Sequence, residues 1–262
     1  MNNKKYVLTK TLITSGLQCK KKLWFDFHNS EKIEETSTLF AGNRFGEIIR
    51  ECYGEGLDLS SLSSSENIIE QTTKAIQSKD VHIIYEAAFI YKETLVRTDV
   101  LRRKKNGWEI LEAKSSKELK ESHIPDVAIQ SFIVKAGGLN VTGIKLLHVN
   151  NDFVYQGDDN YKDLIKEVDI INEVEEKEKD VENYINQFRS LEKKETACPK
   201  VDIGDHCKKP YPCIYFSRCA SKSSKENFVS YKILPNIGRK KDTKEFIKKI
   251  ILKIFKIFQK IY

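Results

Sequence analysis

No stretch of this 262-residue chain reaches eighteen consecutive apolar residues, and its first ten, MNNKKYVLTK, hold no apolar segment of the kind a secretory signal needs. Neither a membrane span nor an export signal is expected, and the expected location is the cytoplasm. Internal repeats are lacking too. The five histidines (His28, His82, His123, His148, His206) show no H-x-x-x-H or comparable spacing, so none is assigned a metal. A charge excess over the body of the chain is also missing. The net +7 arises from Gly238 onward, where nine Lys/Arg stand against two Asp/Glu, which leaves the first 237 residues neutral. Any nucleic-acid contact must therefore come from local clusters such as KKK at 20–22 and RRKK at 102–105.

What remains is ordinary for a globular protein: 40% hydrophobic and 32% charged, with room for one large domain or a domain plus an appendage. Six cysteines in a reducing compartment are ligands, reactive thiols or core residues rather than disulfides. Cys52, on a helix of mixed character, reads as a small buried apolar residue.

Residues 8–56 read as helical and stop at Gly54 and Gly56; NIIEQTTKAIQSKD reads as a short helix. His82 to Ser115 is β-rich, in three segments, the last two joined by the hairpin signal Asn106-Gly107. IPDVAIQSFIVKAGG reads as a helix ended by two glycines, and NVTGIKLLHVNNDFVY as one or two strands. A strand, a helix and a returning strand suggest a crossover onto one sheet covered by helices. Residues 160–192, with Leu164, Val168, Ile171, Val181, Ile185 and Phe188 apolar, read as one long, partly solvated helix.

The strand GWEILEAKSS ends oddly. Glu112 and Lys114 share a face with Trp108 and Ile110, so charges stand where the core stripe should continue. A two-residue turn at Asn106-Gly107 pairs Lys105 with Trp108, Leu101 with Glu112 and Asp99 with Lys114. Asp99 and Glu112 then become diagonal neighbours at roughly 7–8 Å, within bridging reach of a divalent cation. A turn at Lys92-Glu93 sets Glu86 opposite Asp99 and adds a third carboxylate, an arrangement that makes sense chiefly with a cation bound. The plain alternative is a cross-strand Asp99–Lys114 ion pair with Glu112 at a solvated sheet edge. The tripeptide E-x-K decides nothing by itself, since it also starts at Glu118, Glu175 and Glu192.

An Asp, a hairpin and Glu-x-Lys, as Thr98-Asp99 and Glu112-Ala113-Lys114 within RTDVLRRKKNGWEILEAKSS, followed by HIPDVAIQSFIVKAGG with Gln130, resembles the PD-(D/E)XK nuclease superfamily in its RecB-type branch. That branch includes the CRISPR-associated RecB-like exonucleases. LQCKKKLWFDF and GDHCKKPYPCIYFSRC resemble the cysteine segments of its iron-sulfur members. The resemblance spans roughly residues 8–222. It implies an α/β (α+β) restriction-endonuclease-like core, a mixed central β-sheet flanked by helices, with a cysteine-rich cluster-binding segment joining the N- and C-terminal parts. The implied activity is Mg²⁺- or Mn²⁺-dependent hydrolysis of DNA, at single-stranded ends. Asp99, Glu112 and the Ala113 carbonyl would hold the metal with Glu47 or Glu86, Glu47 standing where the family commonly has His; Lys114 would assist, and Gln130 would help order the site and the DNA.

Cys19, Cys207, Cys213 and Cys219 would ligate a [4Fe-4S] cluster, stapling the two ends of the fold. A local zinc site of Cys198, Cys207, Cys213 and Cys219 is the alternative. A non-catalytic nucleic-acid-binding or scaffold module is the rival function. The expected parts are 1–80, helical with the first cluster cysteine; 81–158, the nuclease core; 159–222, a long helix and the cysteine-rich segment; and 223–262, a basic amphipathic tail. In that tail EFIKKIILKIFKIFQKIY puts Ile247, Ile250, Ile251, Ile254, Phe258 and Ile261 on one stripe among lysines, suited to its own domain, a protein partner or an anionic membrane surface.

Overall fold

A computed structural model describes residues 8–28, 37–193 and 195–223. The expected tail helix lies outside them. The chain divides into two compact units, Met1–Cys213 and Ile214–Tyr262. In the second, the described part is the helix α8 (Phe216–Ser223) and its approach.

The described part of the first unit starts with a short strand, β1 (Leu8–Thr9), then α1 (Lys10–Gln18), α2 (Lys20–His28) and α3 (Ser37–Tyr53). β2 (Leu57–Asp58) and α4 (Ser65–Gln77) lead to three long strands, β3 (Ile83–Tyr91), β4 (Thr94–Lys104) and β5 (Gly107–Ala113). α5 (Ile124–Ala136), β6 (Val141–Val149), β7 (Ile165–Asp169), α6 (Ile171–Glu178) and α7 (Val181–Arg189) complete it. Local chemistry sets many of these limits. Thr9 and Ser64 cap α1 and α4 through their hydroxyls. Pro125 sits in the first turn of α5, and Gly54 ends α3 with φ +80°, a conformation few other residues accept.

The sheet has seven strands in the order β2-β3-β4-β5-β6-β7, with β1 beside β4. β3, β4 and β5 are antiparallel neighbours, as are β6 and β7; β2 on β3, β5 on β6 and β1 on β4 are parallel. The expected crossover is α5, joining the parallel pair β5 and β6. Both faces of the sheet are covered. On one, Ile13, Leu23, Ile129, Val174, Ile185 and Phe188 pack on Leu101, Ile110 and Ile144. On the other, Phe45 and Ile49 of α3 close over Tyr85, Val100, Leu111 and Leu147. Removing one such core side chain down to Ala costs about 2–5 kcal/mol.

Three expectations change. Residues 160–192 are not one helix but β7, α6 and α7. The Asp169 carboxylate accepts the Ile171 N–H at 3.1 Å and opens α6, while the dense charge of this stretch hides a strand whose Glu167 pairs with Arg102 and Lys145. The apolar stripe holds only on α7, where Val181, Ile185 and Phe188 are buried.

The β4–β5 turn is centred on Lys105-Asn106, with Lys104 opposite Gly107, Arg103 opposite Trp108 and Leu101 opposite Ile110. Gly107 serves another end: a Cβ there would stand 2.5 Å from the Asn140 carbonyl oxygen, where β6 begins. The strand pair slides by two residues, so every side chain keeps its face. Cys52, finally, is exposed, its thiol 3.6 Å from the Tyr161 carbonyl oxygen.

Candidate active site

β4 changes partner along its length. Thr94 and Leu95 pair with β1, and Val100 to Lys104 pair with β5. Asp99 lies in the interval. Continuing the observed β4–β5 register by one residue puts Asp99 directly opposite Glu112, not diagonal to it, and the Ala113 N–H donates to Asp99 Oδ2 at 2.6 Å. Across β3 the Lys92-Glu93 turn forms as expected, with positive φ at both residues. Ala87 pairs with Thr98 and Tyr85 with Val100, so Glu86 and Asp99 face each other outside the regular ladder. Glu86 has φ +59°, a strained conformation for a side chain of its size, and such strain concentrates at functional positions.

Glu112 follows Trp108 and Ile110 into the interior and is 1% exposed. It is neither at a solvated edge nor alone. Lys10 and Lys114 both donate to Glu112 Oε1 at 2.8 Å, while Oε2 has no hydrogen-bond partner. Lys114 also donates to Asp126 in the first turn of α5, so it serves Glu112 and Asp126 rather than forming the cross-strand pair with Asp99. One helical turn on, at i+4 from Asp126, Gln130 is fully buried; its Oε1 accepts from Lys10 at 2.9 Å and its Nε2 is unpartnered.

The two carboxyls are driven apart. Burial and the neighbouring Glu112 push Asp99 up to about 7, against the pull of Lys10 and the Ala113 amide. Burial also works against an ionised Glu112, but Lys10 and Lys114 outweigh it and hold that carboxylate far below its usual range. In return Lys10 and Lys114 are raised: burial disfavours their charge, and Glu112 and Asp126 more than offset it. Oppositely shifted carboxyls side by side are a recurrent feature of acid–base and metal sites.

Asp99 also forms part of the wall of a cleft of about 660 Å³ lined by Glu47, Arg50, Glu86 and Ala113 among others. The sequence-expected residues therefore fall into two sets, Glu112, Lys114 and Gln130 around Lys10, and Glu47, Glu86 and Ala113 along the cleft, with Asp99 touching both. They do not form one ligand sphere: among the described residues no group of three or more His, Cys, Asp or Glu is gathered around a common metal position. Each acid is already compensated by bases, Glu86 by Arg97 at 3.2 Å and Arg50 at 4.0 Å, Glu47 by Arg44 at 2.9 Å. Even so, the unpartnered Glu112 Oε2 is a buried oxygen acceptor of the type Mg²⁺ and Mn²⁺ take.

Two contributors were not foreseen. Asp126 had a legible signal, standing one turn before Gln130 on an anticipated helix. Lys10 had none, because its position depends on β1 joining β4. His123, also buried, accepts the Lys120 N–H on Nδ1; burial and then the charge of Lys114 push it down, towards the neutral form.

Cys19 lies at the other end of α1, as its C-cap. Gln18 Nε2 donates to the carbonyls of His206 at 2.9 Å and Tyr211 at 2.7 Å, and the Cys213 N–H donates to the Cys207 carbonyl at 2.9 Å. Trp24 and His28 of α2 bond the Thr196 and Leu191 carbonyls, extending the seam. Cys19, the C-cap of α1, and the loop carrying Cys207 and Cys213 are thus tied together through Gln18, although among the described residues the thiols form no metal-binding group. Cys219 lies on α8, in the second unit. Cys198 is partly buried, its thiol 3.9 Å from the Pro199 carbonyl oxygen.

No protein-family model and no curated protein matches the chain. Among solved structures it is similar to one described as the crystal structure of SSO0001, at 13% identity and a TM-score of 0.35, over 82% of this chain and 86% of that one. The described residues define an α/β protein with a mixed seven-stranded sheet flanked by helices, and no helix among them is long and apolar enough to cross a membrane.

Proposed function

We propose that the chain is a metal-dependent nuclease of the PD-(D/E)XK superfamily, RecB-type branch, with a restriction-endonuclease-like core, hydrolysing phosphodiester bonds of DNA, single-stranded ends first. The observation that carries this is Asp99 opposite a buried Glu112 whose Oε2 is bare, with Lys114 and Gln130 at the same point. Asp99, Glu112 and the Ala113 carbonyl would hold Mg²⁺ or Mn²⁺, with Glu47 or Glu86 supplying a further ligand. Bound there, the cation supplies acidification of a water and neutralisation of charge building on the scissile phosphate. The chain's own residues do the rest. Lys114, held as an ammonium, orients the attacking water or meets the phosphate; Gln130 offers its free Nε2 as a hydrogen-bond donor; the depth of Glu112 keeps bulk water from its ligand oxygen. Asp99→Ala, Glu112→Ala and Lys114→Ala should each abolish Mn²⁺-dependent cleavage of single-stranded DNA; retained cleavage in all three would sink the site.

One observation favours the rival class. Lys10 and Lys114 already balance Glu112 and Asp126, so the centre is charge-compensated as it stands. A non-catalytic nucleic-acid-binding module of this fold would bind DNA equally well in EDTA and never nick it.

For the cysteines the proposal is a [4Fe-4S] cluster on Cys19, Cys207, Cys213 and Cys219; the Gln18 clamp supports the part of it that joins Cys19 to the loop of Cys207 and Cys213. Iron and sulfide analysis of protein purified without oxygen tests it: about four of each per chain is expected. Zinc at about one per chain without sulfide would point instead to Cys198, Cys207, Cys213 and Cys219.

A further inference from the structure

Lys10 is the first residue of α1, and three features hold it in place. Leu8 and Thr9 pair in parallel with Thr94 and Leu95, the Thr9 hydroxyl caps the helix by accepting the Leu12 N–H at 3.3 Å, and at the far end of the same helix Gln18 is bound to the 206–211 loop. The side chain runs inward and ends between three groups: Glu112 Oε1 at 2.8 Å, Gln130 Oε1 at 2.9 Å and Asp126 Oδ2 at 3.7 Å.

What this leaves over is the informative part. A buried carboxylate and a buried amide together offer several acceptor and donor positions, and unpaired ones are costly. Lys10 and Lys114 both occupy Glu112 Oε1, and Lys10 takes Gln130 Oε1. The atoms left bare are Glu112 Oε2, an acceptor, and Gln130 Nε2, a donor. A structural ion pair has no reason to strand both: an ammonium bridging the two Glu112 oxygens would satisfy that carboxylate more fully.

We propose that Lys10 is a positioning residue of the nuclease site: by binding Glu112 Oε1 and Gln130 Oε1 together it presents Glu112 Oε2 to a divalent cation and Gln130 Nε2 to a phosphate oxygen or the water beside it. The inference rests on the nuclease reading above and adds a residue from the N-terminal segment to it. Without Lys10, Glu112 turns both oxygens onto Lys114, and the Gln130 side chain loses its one hydrogen bond among the described contacts.

The test uses the full chain and the variant Lys10→Met, which keeps an unbranched apolar stem. Mn²⁺ alone is titrated and followed by electron paramagnetic resonance; cleavage of single-stranded DNA is measured separately. Loss of an orienting contact behind a metal ligand costs about 10–100-fold in metal affinity or activity. Lys10→Met should weaken Mn²⁺ by about tenfold and lower kcat by up to about a hundredfold, with KM for DNA unchanged. Because Lys10 acts through its partners, Lys10→Met combined with Gln130→Met should lose no more kcat than the worse single variant.

Multiplicative losses, or unchanged Mn²⁺ affinity and kcat, would overturn the assignment. So would tighter Mn²⁺ binding, which would make Lys10 a counter-ion competing with the metal. If Lys10→Met does not fold by circular dichroism, Lys10→Gln, which keeps one donor, takes its place and should give a smaller loss of the same kind. A wild-type chain that neither binds Mn²⁺ nor cuts DNA removes the nuclease reading and this role together. A wild type that does both, matched by its Lys10 variant, removes only the role of Lys10.

Discussion

Lys10 and Lys114 donate to the same oxygen of Glu112, each at 2.8 Å, although Lys10 and its acceptor stand 102 positions apart in the chain. One ammonium arrives with an N-terminal strand that joins the sheet, the other from the end of β5 two residues beyond Glu112. The carboxylate at the centre is thereby kept ionised inside the protein, while burial and Glu112 push its neighbour Asp99 up to about 7.

That contrast sets a pH-dependent stability. Asp99, pushed up to about 7 in the fold against about 3.9 when unfolded, stays protonated longer in the native state. Between those values the native state binds more protons, so its stability falls as pH rises and levels off above about 7. Asp99→Asn keeps an acceptor for the Ala113 N–H and removes the carboxyl. In EDTA its melting temperature should exceed that of the wild type at pH 8 and approach it near pH 4. A variant less stable than the wild type at pH 8 would contradict the burial ascribed to Asp99.

Glu167 runs the other way. Burial disfavours its charge, but hydrogen bonds from Arg102, Lys145 and Tyr53 lower it to about 2. Its contribution is complete above the ordinary carboxylate range and is lost as pH falls towards 2. The site is partly open to solvent, which discounts the gain. Glu167→Gln should lower Tm by about 2–4 °C at pH 7, and the gap should narrow in melts at pH 3. An equal gap at both values would show that packing, not charge, is what the substitution removes.

Gln18→Ala should loosen the cysteine loop without disturbing the sheet. Two hydrogen bonds to carbonyls are lost, worth about 1 kcal/mol each. Amide exchange should accelerate over residues 196–213 and stay unchanged in β4 and β5. Uniform acceleration would mean that Gln18 supports the whole unit.

Gly107→Ala should destabilise by about 1–3 kcal/mol, as overpacking does, because the new Cβ meets a backbone carbonyl rather than a side chain that can swing away. Urea titration measures it. A neutral result would return Gly107 to the role of a simple turn residue.

That glycine also marks how far the sequence could be read. Periodicity was enough for the faces: Trp108, Ile110 and Glu112 point one way, and α5 brings Gln130 to the same side. Asn106-Gly107 suggested the wrong register because glycine has two uses, and the one that applies here involves Asn140, thirty-odd residues away. The sliding of the pair by two residues is what set Asp99 straight across from Glu112. Lys10 was invisible for a related reason, since among the described residues β1 is two residues long and joins the sheet through β4 alone. The stretch 160–192 misled because its charges pair across strands, where a helical wheel reads them as solvent-facing.

The most direct test is incubation of the wild-type chain with end-labelled single-stranded DNA, with Mn²⁺ or with EDTA, beside Glu112→Gln, which keeps the shape of the side chain and removes its charge. The nuclease account predicts shortened DNA only for the wild type with Mn²⁺. Equal products from Glu112→Gln, or no cleavage by a folded, Mn²⁺-supplied wild type, would contradict it.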